Sequence, residues 1–277
     1  MGNDSNNNEY SIVRFNLLTS LLSLLNQNGE NDTDFVIARY SLLNLKQLKS
    51  ISIYKIAEDC YVSRSSVQRF IKNIGYDSFT QMKSSIDEII THEESFASYT
   101  DQSDYRNYIS EAINTMIDDI RKASESPAFK KLLNIFMKAD NVVILTAEDS
   151  SHACRLFQQQ ILTTGKLVRI ITSANKNIDL LSTLGKDDLL LVCSATGNFA
   201  LAINDQIKEF KAKKCLITLN RTSLFEDSYS FIYYLGKRMQ FSTQNIVTSR
   251  NVYNNYGLTF FFDLFYHECY SLYRRQK

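Results

Sequence analysis

The chain contains no tryptophan, one proline (Pro127) and eight glycines, no two of which are close neighbours. Neither Gly-x-Gly-x-x-Gly nor Gly-Lys-Ser/Thr therefore occurs, which disfavours dinucleotides and nucleoside triphosphates as ligands. The five cysteines, Cys60, Cys154, Cys193, Cys215 and Cys269, are odd in number and never form a Cys-x-x-Cys pair. That argues against a disulfide framework or a zinc knuckle, and they read as reduced core residues. No metal and no cofactor is expected. The formal net charge is only +1, so the chain does not bind a polyanion through bulk charge and any basic surface must be local. Long apolar runs are also lacking: Leu258 to Phe265 is short and broken by Asp263, so nothing is expected to span a membrane. The start, Met1 to Asn8, has neither a basic nor an apolar segment, and Asn6 stands where a myristoylation motif needs Ser or Thr. No signal peptide or lipid anchor is indicated, and a cytoplasmic location is expected.

What the sequence does have is length: 277 residues, 44% of them hydrophobic, enough for two modest cores. One stretch within it reads as two short helices joined by a tight turn. Behind Ser52 as N-cap, Ile53, Ile56 and Ala57 fall at i, i+3 and i+4; Cys60-Tyr61-Val62 is the turn; Ser63 then caps a second helix whose apolar residues are Val67, Phe70, Ile71 and Ile74. That is the spacing of a helix-turn-helix. At about 100° per residue, the face opposite the second stripe carries Ser65, Gln68, Arg69 and Lys72, flanked by Arg64 and Ser66, with no acid among them. Gln and Arg offer paired hydrogen bonds to base edges, and Ser and Lys suit phosphate oxygens, so these six are the candidate DNA-binding residues. A plain amphipathic helix pair with a solvated polar face is the other reading. Local charge favours the first: from Asn44 to Lys83, seven cations (Lys46, Lys49, Lys55, Arg64, Arg69, Lys72, Lys83) stand against three anions (Glu58, Asp59, Asp77), a net of +4.

Upstream, Ile12, Phe15, Leu18, Leu21, Leu22 and Leu25 keep helical spacing over Tyr10 to Asn26, and Phe35, Ala38, Leu42 and Leu43 do so over Asp34 to Leu43. The N-terminal domain is therefore expected to be all-helical. Val62-Ser63, Arg69-Phe70-Ile71-Lys72, Gly75-Tyr76 and the later Phe79 with Lys83 resemble the helix-turn-helix of RpiR-family transcriptional regulators. The resemblance implies a second domain of the sugar-isomerase (SIS) type.

Thr91 to Asp104 is rich in Ser, Thr, Glu and Asp, as a linker is. Residues 1–86 are thus read as the helix-turn-helix domain, 87–104 as linker and 105–277 as the second domain. Tyr105 to Arg121 resumes helical spacing, and Pro127 after Ser126 suits the first turn of another helix. From Asn141 short apolar runs alternate with helices: Val142–Leu145, a helix through Leu156 to Leu162, Val168–Ile171, Ile178–Leu184, Leu189–Cys193, a helix from Phe199 to Phe210, Cys215–Leu219 and Phe231–Leu235. Unbroken β-rich runs separated by helices predict an α/β doubly wound domain with a parallel sheet covered on both faces. Ligands in such sheets bind at the carboxyl ends of strands, which directs attention to the loops after Leu145 and Cys193.

In the second of these loops, Ser194-Ala195-Thr196-Gly197-Asn198, hydroxyls and backbone N–H groups meet the positive end of a helix, chemistry that suits a phosphate. An ordinary turn in which Thr196 or Asn198 merely caps the helix is the alternative. The loop resembles the Ser-x-Ser-Gly-x-Thr phosphosugar loop of SIS domains, with Ser194, Thr196 and Gly197 at matching positions and Phe199 in place of the closing Thr. The first loop, Gly-x-Gly-x-Ser in that family, is Thr146-Ala147-Glu148-Asp149-Ser150 here; its acids would repel a phosphate, and only Ser150 is kept. Aligned on Asp263, Asn254-Asn255 stand where the family has a Ser-Arg pair. The resemblance implies a phosphosugar effector on Ser150, Ser194, Thr196, Gly197 and Asn198.

The expected function is transcription regulation of sugar or amino-sugar metabolism, by a homodimer or tetramer on a palindromic double-stranded operator. Two alternatives stay open. The altered loops favour a constitutive DNA-binding dimer with a vestigial pocket. A sugar-phosphate isomerase needs a positioned base, and the candidates are poor: His92 lies in the linker, His152 and His267 are far apart in sequence, and Glu148 serves only if its loop does not hold the substrate.

Overall fold

The computed structural model describes residues 17–86, 89, 104–172, 179–236 and 252–277. The start of the first expected helix (Ile12, Phe15) and nearly all of the expected linker, including His92, lie outside the described residues.

The N-terminal part is helical: α1 (Leu17–Gln27), α2 (Thr33–Leu43), α3 (Leu45–Leu48), α4 (Ile53–Asp59), α5 (Arg64–Asn73) and α6 (Phe79–Ser84). Its core is one cluster in which Leu17, Leu21, Ile37, Ala38, Leu48, Ile56, Val67, Phe70, Ile71 and Ile74 are buried. The stripe of α2 differs from the expected one. Ile37, Ala38 and Ser41 face inward, whereas Leu43 is 73% exposed. The helix ends just after Leu43, where the Asn44 side chain and N–H both donate to the Tyr40 carbonyl. The chain then turns into α3, and Leu45 and Leu48 take the inward positions.

The second part opens with α7 (Tyr105–Ser124) and α8 (Pro127–Lys138), the latter with Pro127 in its first turn and the Ser126 hydroxyl accepting from Phe129 N–H. There follow β1 (Val142–Thr146), α9 (Ser151–Ile161), β2 (Val168–Thr172), α10 (Asp179–Ser182), β3 (Leu189–Cys193), α11 (Asn198–Ala202), α12 (Asn204–Ile207), β4 (Lys213–Thr218), β5 (Phe231–Tyr234), a π turn at Tyr253–Gly257 and α13 (Leu258–Gln276). Five of the six expected apolar runs are strands; the sixth, Ile178–Leu184, is instead helical over Asp179–Ser182, and its Leu181 and Leu184 are buried against one face of the sheet. The described strands form one sheet, all parallel, in the order β2-β1-β3-β4-β5.

Alternate strand residues face opposite sides, as the pleat requires. Val142, Ile144, Leu189, Leu191, Cys215 and Ile217 pack under α7, α8, α9 and α13, and Val143, Leu145, Leu190, Val192 and Leu216 pack under α10, α11 and α12. Right-handed crossovers running in opposite directions along a sheet lie on opposite faces. The chain therefore changes face where strand order reverses, between β1 and β3, and that reversal opens a crevice at their carboxyl ends. With no tryptophan, the first layer is filled by phenylalanines: Phe157 stacks on Phe262 at 4.6 Å, and Phe136, Phe261 and Phe265 pack around them.

The expected helix from Phe199 to Phe210 is broken at Ile203 (φ −100°, ψ 0°) into α11 and α12. Just after the break Asn204 makes tertiary contacts: its side chain donates to the Leu224 carbonyl and its own carbonyl accepts from the Ser228 hydroxyl.

Candidate functional site

The helix-turn-helix is set by caps at both starts. The Ser52 hydroxyl accepts from Lys55 N–H and the Ser63 hydroxyl from Ser66 N–H, each satisfying a first-turn donor that no helix can satisfy itself. Between them Tyr61 sits at φ +55° with its side chain in solvent, and Val62 N–H donates back to the Ala57 carbonyl. At the far end of α5, Gly75 at φ +89° lets Gly75 N–H reach Lys72 O and Tyr76 N–H reach Ile71 O. Gly75-Tyr76 is thus a helix stop, with Tyr76 buried as its apolar anchor.

With Val67, Phe70, Ile71 and Ile74 buried, Arg64, Ser65, Gln68, Arg69 and Lys72 are all exposed. Arg64, Ser65, Gln68, Arg69 and Lys72 line one open groove of about 660 Å³, whose other wall is formed from the start of α6 and includes Asp77 and Thr80. The hydroxyls of Ser65 and Ser66 share hydrogen bonds of 2.7 and 2.9 Å with that of Ser63, inside the cap, and Ser66 differs from the row in being half-buried. The side chains of Gln68, Arg69 and Lys72 make no hydrogen bond or ion pair among the described residues. An exposed row of amide and cations free of carboxylate partners can present donors to base edges and phosphates.

The crevice is arranged differently. Its loops after β1 and β3 lie side by side, tied by the Thr146 hydroxyl donating to the Cys193 carbonyl. Ser150 is buried and its hydroxyl donates to Asn254 Oδ1 at 3.3 Å and Asp149 Oδ1 at 3.2 Å, which brings the turn before α13 to the crevice. In the β3 loop, Gly197 N–H donates to Ser194 O, Asn198 N–H to the Thr196 hydroxyl at 3.4 Å, and Ala200 N–H to the buried Ser194 hydroxyl at 3.3 Å. Most of the groups expected to face a phosphate therefore have partners within the fold, and of the loop only Thr196 and Asn198 reach solvent. The break at Ile203 also leaves α11 five residues long, so the dipole behind the loop is that of little more than one turn.

Asn220, just after β4, closes the loop from above. Its Nδ2 donates to Thr196 O, and a Cβ on Gly197, which has φ +83°, would lie 2.5 Å from the Asn220 Cβ. Beyond it Arg221 donates to the Gly236 carbonyl and stacks at 4.0 Å on the Tyr234 ring. Glu148 is half-exposed and Asp149 exposed. Of the histidines, His152 accompanies the Asp149 carbonyl at 3.1 Å, while His267 is exposed beside Glu268 on α13. Among the described residues no group of His, Cys, Asp and Glu is placed to hold a metal ion, and no helix is long and apolar enough to cross a membrane. All five cysteines are free and buried. Burial pushes the Cys60 thiol up to about 11, and the Cys215 and Cys269 thiols to about 12.

Residues 16–93 match the family model for the helix-turn-helix domain, rpiR family. The N-terminal domain is an rpiR-family helix-turn-helix. No curated protein matches the chain in sequence. Among solved structures it is similar to the Vibrio vulnificus NanR protein complexed with ManNAc-6P, at 15% identity over 94% of each chain and a TM-score of 0.45. It is similar also to the c3406 protein of E. coli CFT073, solved as a ligand complex, at 17% identity over 63% of this chain and 99% of that one, TM-score 0.43. The sugar isomerase domain of an RpiR transcription factor from Sphaerobacter thermophilus aligns at 13% identity over 60% and 92%, TM-score 0.44. None of the three is near enough for residue roles to transfer.

Three neighbours of the outward face of α5 escape sequence periodicity. Asp77 and Thr80 belong to the turn and start of α6, and only the folding of α6 against α5 brings them into the groove. Tyr54 is the other case: its ring meets the Arg64 guanidinium across two helices. Asn220 is likewise missed in the crevice, because nothing in its local sequence says that it packs on Gly197.

Proposed function

We propose that the chain is a sequence-specific DNA-binding transcriptional regulator of the RpiR type and not an enzyme. In this reading residues 1–86 bind DNA, 87–104 link, and 105–277 form an SIS-like domain for assembly and effector binding in the cytoplasm. The observation that carries it is the outward row Arg64, Ser65, Gln68, Arg69 and Lys72 on a capped helix whose opposite face is buried. One such domain with a small charge excess holds a site weakly at cellular salt. A homodimer or tetramer on a palindromic operator, with half-sites roughly 34 Å apart or a multiple of that, answers the weakness. Arg69→Ala and Gln68→Ala are expected to weaken specific binding by roughly 1–3 kcal/mol each. Equal operator affinity for parent and both variants at one salt concentration would refute the assignment of α5.

The effector reading is a phosphosugar on Ser150, Ser194, Thr196, Gly197 and Asn198, controlling sugar or amino-sugar genes. It requires the β3 loop to exchange its internal hydrogen bonds for ligand. The internally satisfied loop favours the second reading, a constitutive dimer with a vestigial pocket. A thermal-shift series with phosphorylated sugars separates the two, because a ligand that binds only the folded state must raise its melting temperature. Glu148→Gly removes a negative charge and should strengthen any phosphate binding, and Thr196→Val, which removes a hydroxyl, should abolish the ligand response but spare ligand-free DNA binding. No shift for parent or Glu148→Gly would leave the constitutive dimer.

A further inference from the structure

Arg64 is the first residue of α5 and Tyr54 the second of α4, and the Arg64 guanidinium carbon lies 4.8 Å from the centroid of the Tyr54 ring. The contact does little for the core. Tyr54 is 63% exposed, its hydroxyl makes no hydrogen bond among the described residues, and Arg64 is exposed as well. The nearby carboxylates of α4 are engaged elsewhere. Lys55 bridges both Glu58 and Asp59, at 3.4 and 2.8 Å, and Asp59 also accepts from the Tyr40 hydroxyl at 2.7 Å. Arg64 is left with the ring, and a cation over an aromatic face is attracted even when exposed. The effect of such a contact is to limit the directions in which the guanidinium points.

That direction matters because Arg64 also lines the groove shared by Gln68, Arg69 and Lys72. When a helix-turn-helix docks, the second helix enters the major groove by its N-terminal end while the first crosses the sugar-phosphate backbone. A pair joining the first turn of α4 to the first residue of α5 therefore stands where groove and backbone meet.

We infer that Tyr54 is a positioning residue for DNA: its ring holds Arg64 toward the phosphates flanking the groove, and its hydroxyl donates to a phosphate oxygen of the same strand. The inference rests on the DNA-binding reading above. Phosphate contacts carry no base information, so the pair acts on duplexes of any sequence. Each phosphate neutralised by a cation also adds about one to the slope of log affinity against log salt.

The test uses the full chain and a fluorescent duplex of about 30 base pairs of arbitrary sequence, titrated by anisotropy between about 50 and 200 mM salt. Arg64→Ala should lower affinity several-fold and the salt slope by about one. Tyr54→Leu should lose about three- to tenfold with an unchanged melting temperature, and Tyr54→Phe, which keeps the ring, should lose at most about threefold. In the Arg64→Ala background, Tyr54→Leu should cost no more than Tyr54→Phe does. Parental affinity for Tyr54→Leu, or an equal loss with and without Arg64, overturns the inference. Undiminished binding of this duplex by Arg69→Ala and Lys72→Ala as well would instead sink the DNA-binding reading itself.

Discussion

The outward face of α5 and the crevice at the carboxyl ends of β1 and β3 both carry hydroxyls and amides, yet most of their polar groups are in different states. On α5 the side chains of Gln68, Arg69 and Lys72 project into solvent with no hydrogen bond or ion pair among the described residues. In the crevice Ser150, Ser194, the Gly197 N–H and the Asn198 N–H all have partners inside the fold. The reason is where each lies. A helix face opposite a buried stripe has nothing above it to bond to. A loop at the end of a buried strand has neighbours on both sides, and its backbone groups must be paired or pay a desolvation cost of about 1–3 kcal/mol each. The first region is ready for a partner; the second must give something up to accept one.

Substitutions should separate the two regions by stability. The largest effect belongs to Gly197→Ala, where a left-handed backbone and a Cβ 2.5 Å from Asn220 coincide. Denaturant unfolding should show a loss of about 2–4 kcal/mol, and Asn220→Gly in the same chain should recover part of it. Full stability for Gly197→Ala would mean that the loop is not locked by Asn220. Ser194→Ala is next, at about 1 kcal/mol, because the buried Ala200 N–H loses its acceptor. On α5, Gln68→Ala and Arg69→Ala should change unfolding by less than about 0.5 kcal/mol. A cost equal to that of Ser194→Ala would erase the contrast.

A smaller effect of opposite sign is expected at the turn. Tyr61 holds φ +55° with a side chain 97% exposed, so Tyr61→Gly relieves strain without losing packing and should stabilise by about 0.5–1 kcal/mol in chemical denaturation.

The smallest effect is at Asp59. Its carboxyl is held below the usual range first by the Lys55 hydrogen bond and then by that of Tyr40. Tyr40 is pushed up to about 12 by burial and by Asp59. A carboxyl lowered in the folded state stabilises above its unfolded pKa, and that contribution fades as pH falls through the folded value. Melting curves of parent and Asp59→Asn should differ slightly at neutral pH and converge below about pH 4. A difference that persists at acid pH would count against the tie between α2 and α4.

Local pattern was enough for much of this. Ser52 and Ser63 as caps, the stripe Val67, Phe70, Ile71 and Ile74, and each of the five strands follow from periodicity and turn chemistry, which act over a few residues. The order of the strands does not follow from local pattern, because the handedness of a crossover fixes only the face on which it lies once the order is given. Only the tertiary structure decided which polar groups are free. Asn204, where a long expected helix is interrupted, is held by Leu224 and Ser228. Leu43 turns outward because Leu45 and Leu48 fill the space below. Asn220 seals Gly197 from a strand away. Each is a contact between residues distant in sequence, and a hydrogen bond or a filled volume depends on position in space, which no spacing along the chain records.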